Sequence, residues 1–224
     1  MPQKILFLDR DGPVNIVGPK GFVCSPQHFH LTDGITEVCQ AAQEKGYKIV
    51  VITNQTGVGL GDYTEDDMHA VHACMTQKLE QNGVHISDIV YSLTPESPYR
   101  KPSPLMFLKI KEKYNLSDSD MWTSVAIGDR QKDALAALRA GVGRIVYYQT
   151  DQILNEAGDI VSCTPRDTAK EIHGLTLEFQ ELVIFGALTH PDPSQHAPKT
   201  PCFIRHCRPH LWITSHLKPV RDRL

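Results

Sequence analysis

Strand-like apolar segments alternate with helix-like segments through roughly the first two thirds of the chain, and this alternation constrains the fold more than any other feature. The segment YKIVVIT is β-branched through its middle, which is typical of a buried central strand. The predicted strands span residues 4–8, 47–53, 89–93, 124–128 and 144–148, and the predicted helices span residues 35–45, 64–83, 105–114 and 132–140. Such alternation predicts an α/β, Rossmann-like parallel sheet with helices on both faces.

The connections between these predicted elements are short. Between the first two strands there is room for one loop and one helix, and between the next two for little more than a helix. No inserted cap domain fits into connections of this length, so we expect a capless architecture. The loops at residues 18–30 and 56–63 are the candidate lids.

The length of 224 residues is enough for one substantial hydrophobic core rather than two. From His190 onward the helical periodicity is lost, and prolines, histidines and basic residues accumulate. We predict one folded domain over residues 1–188 and an irregular C-terminal tail over residues 189–224. The spacing of the tail residues Cys202, His206, Cys207 and His210 matches no familiar zinc module, which favours a flexible or loosely docked tail over a metal site.

Composition and charge restrict the partners. A formal net charge of −3 offers no basic surface for a polyanion, so nucleic-acid binding is not expected. No apolar run approaches the length of a membrane span, and the first residues enter a strand pattern without the apolar core of a signal peptide. The six cysteines are scattered without a framework spacing, as reduced thiols are. These features predict a cytoplasmic protein with no membrane partner, and they do not specify an oligomeric state.

Polar residues follow the predicted strands at the points where the strands end. In parallel sheets, ligands bind at the carboxyl ends of the strands. Two neighbouring carboxylates repel each other unless a cation or a proton separates them, and Mg²⁺ prefers carboxylates together with phosphate oxygens and water. The residues expected to converge at this edge are Asp9, Asp11, Thr53, Asn54, Lys101, Asp129 and Asp133. They predict a site that binds Mg²⁺ and a phosphate group together.

Four ordered motifs, FLDRDG, VITNQTG, RKP and IGDRQKD, resemble those of the haloacid dehalogenase (HAD) superfamily of phosphatases. Within it they are similar to the branch that contains D-glycero-D-manno-heptose 1,7-bisphosphate phosphatases and histidinol-phosphate phosphatases. The resemblance covers roughly residues 3–150. It implies that the domain over residues 1–188 is a HAD-like phosphatase domain, that the protein is a phosphoric monoester hydrolase, and that its cofactor is Mg²⁺.

The resemblance also implies a role for each catalytic candidate. Asp9 would attack phosphorus and form an aspartyl-phosphate, and Asp11 would protonate the leaving oxygen and then activate water. Thr53 would hydrogen-bond the phosphoryl oxygens, and Lys101 would neutralise their charge. The metal ligands would be Asp9, Asp129 and the backbone carbonyl of Asp11.

Four further residues have less specific roles. Arg100 suits a second anionic or polyol contact, since a guanidinium recognises phosphate bidentately. Asn54 either contacts substrate, which the resemblance favours, or bridges loop backbone. Arg130 either binds substrate or forms a surface ion pair. Asp133 either ligates the metal or interacts with a helix N-terminus.

The sequence departs from the resembled branch just before the RKP motif. Many relatives carry a zinc loop of cysteine and histidine there, whereas this chain reads LTPESPYRKP, which contains neither residue type. We therefore expect no zinc in this loop. The resemblance therefore does not predict the substrate contacts that the zinc loop helps to shape in those relatives.

The expected substrate is a small phosphorylated metabolite, with a heptose bisphosphate favoured and histidinol phosphate as the near alternative. Two alternatives belong to other classes. A polynucleotide 3′-phosphatase would require a basic groove, which the net charge does not indicate. A catalytically idle binding module would conflict with the intact set of motif residues.

Overall fold

The computed structural model describes residues 3–148, 152–156, 159–162, 210–214, 218–221 and 224. The strands are β1 (Lys4–Leu8), β2 (Tyr47–Asn54), β3 (Ile86–Ser92), β4 (Val125–Gly128), β5 (Arg144–Tyr148), β6 (Gln152–Leu154), β7 (Ile160–Ser162) and β8 (His210–Thr214). Six of them form one parallel sheet in the order β3-β2-β1-β4-β5-β8. The strands β6 and β7 form a separate antiparallel pair.

Helices cover both faces of the large sheet. They are α1 (Ile35–Glu44), α2 (Gly57–Leu60), α3 (Glu65–Glu80), α4 (Leu105–Lys113), α5 (Asp118–Thr123), α6 (Gln131–Arg139) and α7 (Lys218–Arg221). Because side chains alternate across a strand, Leu6 and Leu8 of β1 join a core with α1 and α3, whereas Ile5 and Phe7 join a core with α4 and α6. The predicted α/β architecture with two helical layers is confirmed.

No helix in the described part of the chain combines the length and the hydrophobicity needed to cross a bilayer. Within residues 3–148, the connections between neighbouring strands along the chain consist of loops and helices, without an inserted domain. The capless architecture is therefore confirmed as well.

The register of β1 with its neighbours brings three strand ends to one edge. Leu8 pairs with Val51 of β2 and with Ile127 of β4. The residues that follow these positions therefore emerge side by side from the carboxyl edge of the sheet. This register, set by buried apolar residues, positions the polar residues of the motifs.

The strand β3 begins at Ile86, three residues before the predicted start. The start was missed because the first residues of the strand include two polar ones, Ser87 and Asp88, which interrupt the apolar pattern. Among the described strands, β3 pairs only with β2 and forms one edge of the sheet, so its side chains need not all be apolar. The helix α3 begins as predicted, because Thr64 and Asp67 form a reciprocal capping box at its N-terminus.

The C-terminal segment differs in part from the irregular tail that was predicted. Residues 210–214 form β8, which pairs in parallel with β5, and Val220 of α7 is buried against the core that contains α1. The pairing with β5 supplies backbone hydrogen bonds from a distant part of the chain, which composition does not reveal. Residue 188, the predicted domain boundary, and the candidate tail ligands Cys202, His206 and Cys207 lie outside the described residues, so the domain division stays a prediction.

Candidate active site

A cluster of acidic side chains lies at the carboxyl edge of β1 and β4. The N–H of Asp9 donates to the carbonyl of Ile127 (2.9 Å), which holds Asp9 beside the residues that follow β4. Asp9, Asp129 and Asp133 each offer one carboxylate oxygen, and these three atoms lie within 4.8 Å of one another. We call Asp9, Lys101, Asp129 and Asp133 the lysine cluster.

The ammonium group of Lys101 lies between two of these carboxylates. Its Nζ is 2.9 Å from Asp9 Oδ1 and 2.7 Å from Asp133 Oδ1, and it donates a hydrogen bond to the carbonyl of Ile52 (2.8 Å). The lysine side chain is only 1% exposed. A buried ammonium is tolerated only with partners of this kind, so Lys101 is a fixed positive charge within the cluster.

Burial and the neighbouring charges of opposite sign act against each other on the pKa values of Asp9 and Lys101, whereas burial and the charge of Asp9 act together on the pKa of Asp133. Burial opposes ionisation of Asp9, but the positive charges of Lys101 and Lys132 outweigh it and lower the pKa of Asp9. Burial and the negative charge of Asp9 raise the pKa of Asp133. Burial also disfavours the charged form of Lys101, yet the carboxylates of Asp133 and Asp9 outweigh it and raise the pKa of Lys101. At neutral pH the cluster therefore contains an ionised Asp9 beside a charged lysine.

Asp133 contacts its own helix and the lysine cluster at the same time. Its Oδ2 accepts a hydrogen bond from the N–H of Arg130 at the start of α6 (2.9 Å), while its Oδ1 faces Lys101. The helix-cap alternative for Asp133 is therefore present in the structure, and metal ligation by Asp133 stays a prediction. Gly128 provides the space for this arrangement, because a Cβ there would lie 2.3 Å from Asp133 Cβ.

The loop after β1 closely approaches Asp129. A Cβ at Gly12 would lie 2.8 Å from Asp129 Cγ, and Gly12 has a φ of +105°, which glycine adopts at little cost. Only glycine allows the backbone to come this near to the carboxylate. The motif glycine thus fixes the distance between the loop and the lysine cluster.

Asp11 lies in a second group of polar residues. The Nη2 of Arg10 is 3.1 Å and 2.8 Å from its two carboxylate oxygens, and the side-chain amides of Asn15 (3.2 Å) and Gln55 (3.1 Å) also donate to them. The main-chain N–H of Val23 is a further donor at 3.3 Å. We call Arg10, Asp11, Asn15, Gln55 and the main chain of Val23 the arginine cluster.

Arg10 is completely buried. Its Nη2 also donates to the carbonyl of Val23 (2.8 Å), whereas its Nε and Nη1 have no hydrogen-bond partner among the described residues. Because an isolated buried guanidinium is unfavourable, the ion pair with Asp11 is the main compensation for its charge. Arg10 therefore holds Asp11 through both of its carboxylate oxygens.

Gln55 connects Asp11 with Thr53. Its Nε2 donates to Thr53 Oγ1 (2.8 Å) and to Asp11 Oδ2 (3.1 Å), and its Oε1 accepts a hydrogen bond from the hydroxyl of Tyr63 (2.7 Å). Gln55 and Thr53 are both buried. The predicted hydroxyl donor and the predicted acid–base residue thus share one amide.

Asn54 contacts the backbone next to the lysine cluster. Its Nδ2 donates to the carbonyl of Lys101 (3.1 Å), and its Oδ1 accepts from the N–H of Lys101 (2.9 Å). Of the two roles considered for Asn54, these hydrogen bonds correspond to the bridging of loop backbone. Arg100 is exposed beside Lys101, so its side chain is accessible to a ligand.

Arg130 lies at the rim of the lysine cluster. Its side chain is 37% exposed, and its Nε is 3.8 Å from Asp129 Oδ2. Its Nη2 would be only 2.8 Å from a Cβ at Gly21, so the side chain reaches the loop 18–30. The ion-pair alternative for Arg130 is present, and contact with a substrate stays a prediction.

Sequence reasoning did not single out Arg10, Gln55 or Lys132. Strand alternation predicts that Arg10 points away from its two aspartate neighbours, but the chain turns sharply there, with the N–H groups of Val14 and Asn15 both donating to the carbonyl of Arg10. Gln55 follows the end of β2 and gave no periodic signal. The tripeptide DRD, with a cation between two acids, was the one available hint.

Comparisons with known proteins identify the family of this chain. A family model described as haloacid dehalogenase-like hydrolase matches residues 6–141. A D-glycero-beta-D-manno-heptose-1,7-bisphosphate 7-phosphatase of Vibrio cholerae is 31% identical over 77% of this chain and 95% of its own. A D-glycero-alpha-D-manno-heptose-1,7-bisphosphate 7-phosphatase of Burkholderia mallei is 35% identical over 78% of this chain and 96% of its own.

A solved structure has a similar fold. It is the D,D-heptose 1,7-bisphosphate phosphatase of B. bronchiseptica complexed with magnesium and phosphate, with a TM-score of 0.68, 21% identity, and coverage of 99% of this chain and 97% of that one. The sheet order, the motif residues and these matches lead to one conclusion: this chain belongs to the haloacid dehalogenase-like hydrolase family and is a phosphoric monoester hydrolase.

Proposed function

We propose that the protein is a Mg²⁺-dependent phosphatase that hydrolyses D-glycero-D-manno-heptose 1,7-bisphosphate through an aspartyl-phosphate on Asp9. The choice of substrate is supported by two relatives that carry this activity in their names and match more than three quarters of the chain. The observation that carries the chemistry is the ionised Asp9, held beside the buried Lys101 and within 4.8 Å of two further carboxylates. In this arrangement Lys101 can bind the phosphoryl oxygens and Asp9 can attack the phosphorus atom.

The geometry favours one oxygen of Asp9 as the nucleophile. The N–H of Arg10 (2.8 Å) and the Nζ of Lys101 (2.9 Å) both contact Oδ1. The remaining oxygen, Oδ2, is therefore the atom that attacks phosphorus. As its bond to phosphorus forms, the bond between phosphorus and the leaving oxygen breaks.

Asp11 handles the protons of both steps. It gives a proton to the leaving oxygen of the sugar in the first step, and it takes one from the attacking water in the second. That water adds to phosphorus and releases Asp9 together with inorganic phosphate. Thr53 and Lys101 hydrogen-bond and neutralise the phosphoryl oxygens during both steps.

The donor set fits Mg²⁺. Three carboxylates lie together at the sheet edge, and Lys101 balances only part of their negative charge. The ion would be held by Asp9, Asp129 and the backbone carbonyl of Asp11, with Asp133 in reach as a further oxygen ligand. When bound, it would supply positive charge to the phosphoryl group.

The outer residues would contact the part of the substrate that is not the reacting phosphate. Arg100 is exposed and Arg130 reaches the loop 18–30, so both are proposed to bind the sugar or its second phosphate. Asn54 is proposed to act on the substrate indirectly, by fixing the backbone of Lys101.

A substrate panel tests this proposal. The purified protein with Mg²⁺ is offered both anomers of the heptose bisphosphate, histidinol phosphate, a 3′-phosphorylated oligonucleotide and p-nitrophenyl phosphate, and phosphate release is measured. We expect the highest kcat/KM for a heptose bisphosphate. A higher kcat/KM for histidinol phosphate or for the oligonucleotide would reassign the substrate, and turnover of none would end the proposal.

The Asp9→Asn variant tests the nucleophile. We expect kcat to fall by at least about 10³-fold, because an amide oxygen cannot form the covalent intermediate. The Asp118→Asn variant is the matched control, since Asp118 pairs with Lys111 at an exposed site. Unchanged phosphate release from Asp9→Asn would show that Asp9 is not the nucleophile.

A binding experiment separates the metal from the chemistry. Isothermal titration with Mg²⁺ should give an affinity that falls at least about tenfold in Asp129→Asn and stays the same in Asp118→Asn. An Asp129→Asn protein that binds Mg²⁺ as tightly as the parent would remove Asp129 from the ligand set.

A further inference from the structure

We infer that Gln55 is a positioning residue that holds the carboxylate of Asp11 and the hydroxyl of Thr53 in one geometry, with its own orientation set by Tyr63. This inference rests on the proposed roles of Asp11 and Thr53. Within the part of the chain that the structure describes, Gln55 is the side chain that bonds to both of them. It would act on the reaction without touching the substrate.

The donors to Asp11 are divided between its two oxygens. Asn15 Nδ2 (3.2 Å) and Val23 N (3.3 Å) approach Oδ1, whereas Gln55 Nε2 (3.1 Å) approaches Oδ2. Arg10 contacts both oxygens. Gln55 therefore restrains the rotation of the carboxylate from the side opposite Asn15, and its loss would leave Arg10 as the one described donor to Oδ2.

Tyr63 fixes which way the Gln55 amide faces. The hydroxyl of Tyr63 donates to Gln55 Oε1 (2.7 Å), so the NH₂ group is left to face Thr53 and Asp11. Burial raises the pKa of Tyr63 to about 12, so the hydroxyl stays a donor throughout the working range of an enzyme. The amide cannot flip without losing this bond and turning its oxygen toward the carboxylate of Asp11.

The ring of Tyr63 is held in place by both candidate lid loops. In the loop 56–63, a Cβ at Gly57 would lie 2.3 Å from Tyr63 Cε1, so the ring occupies space that only glycine leaves. In the loop 18–30, the ring of Phe22 lies 5.2 Å from that of Tyr63, centroid to centroid. The series Phe22, Tyr63, Gln55 and Asp11 thus links the loops at the mouth of the site to the proton-transfer residue.

Leaving-group dependence tests this role. Protonation of the leaving oxygen matters for an alkyl phosphate, which has a poor leaving group, and matters little for p-nitrophenyl phosphate. For Gln55→Leu we expect kcat/KM to fall at least about tenfold more for the alkyl phosphate than for p-nitrophenyl phosphate. Tyr63→Phe should shift the same ratio in the same direction by a smaller factor, and the double variant should resemble Gln55→Leu alone.

The Tyr47→Phe variant is the matched control, since the hydroxyl of Tyr47 donates to the carbonyl of Thr123 (3.4 Å), away from the site. It should leave the ratio unchanged. Equal losses for both substrates in Gln55→Leu and Tyr63→Phe would reduce Gln55 to a structural residue and overturn the inference.

A crystal structure of Gln55→Leu gives a readout that does not depend on turnover. The inference requires that the carboxylate of Asp11 rotates relative to Thr53 in this variant, and an unchanged carboxylate overturns it. A parent protein without activity on any phosphate monoester would instead count against the proposed function. The two failures are therefore distinguishable.

Discussion

Asp9 and Asp11 are two residues apart at the end of β1, yet they belong to clusters of different origin. The lysine cluster joins Asp9 to three residues from segments far along the chain, and its buried cation contacts two carboxylates. In the arginine cluster, apart from Gln55, the partners of Asp11 come from the loop that follows β1, and its buried cation contacts one carboxylate. The topology of the whole sheet assembles the first cluster, and a local loop assembles most of the second.

Lys101→Met is the change that breaks the lysine cluster most completely. It leaves two buried carboxylates without their cation, so we expect the free energy of unfolding to fall by about 3–5 kcal/mol and phosphate release to fall on the order of 10³-fold. Urea denaturation and a phosphate assay measure the two effects. Lys111→Met is the control, because the pair of Lys111 with Asp118 is largely exposed and should contribute less than about 1 kcal/mol. Similar losses from the two substitutions would contradict the buried-pair account.

His72 tests the environment next to the arginine cluster. This buried histidine contacts the rings of Tyr91 and His69, and burial, then the charges of Arg10 and His69, lower the pKa of His72 to about 3. The folded state therefore keeps His72 neutral, while the unfolded state binds a proton below pH 6.5 or so. The stability that the neutral form provides is present above about pH 6.5 and is lost as the pH falls toward 3.

The measurement for His72 is the free energy of unfolding as a function of pH. Between about pH 6.5 and pH 4, the parent should lose about 3 kcal/mol more than His72→Gln does. The exposed His85 provides the control, since His85→Gln should follow the parent curve. Parallel curves for His72→Gln and the parent would mean that His72 is not held neutral.

Asn54→Ala should have the smallest effect of these substitutions on the free energy of unfolding. It removes two hydrogen bonds to the backbone of Lys101, so we expect a loss of about 1–2 kcal/mol in unfolding free energy and a lower kcat. Asn82→Ala, at an exposed helix end, should cost only a few tenths of a kcal/mol. Unfolding curves and steady-state kinetics distinguish the two variants. A changed KM with an unchanged kcat would favour direct substrate binding by Asn54 instead.

The lysine cluster was the more predictable of the two. Its members follow three strands, β1, β3 and β4, and the rule that parallel strands place their carboxyl ends at one edge was sufficient to bring Asp9, Lys101, Asp129 and Asp133 together. The arginine cluster depends on how one loop folds back over Asp11. That path is set by bonds such as Val23 N to Asp11 Oδ1, for which sequence periodicity has no signal.

The same distinction applies to the fold. Buried strands such as β1 and β5 were predicted with the bounds that the structure gives, because their apolar runs are continuous. The polar start of β3 at an edge was missed, and β8 was missed because its order comes from pairing with a strand more than 60 residues earlier. Pairing between strands that are far apart along the chain cannot be predicted from the periodicity of a single sequence.

The location of β8 has a practical consequence for shortened forms of this protein. The family match ends at residue 141, which invites a truncation shortly after β5. Without β8, the backbone of β5 would become an open edge of the sheet, rich in isoleucine, valine and tyrosine, and such edges recruit other chains. Removal of Val220 would also expose apolar residues beneath α1. A truncated protein should therefore precipitate or self-associate even with every motif residue intact.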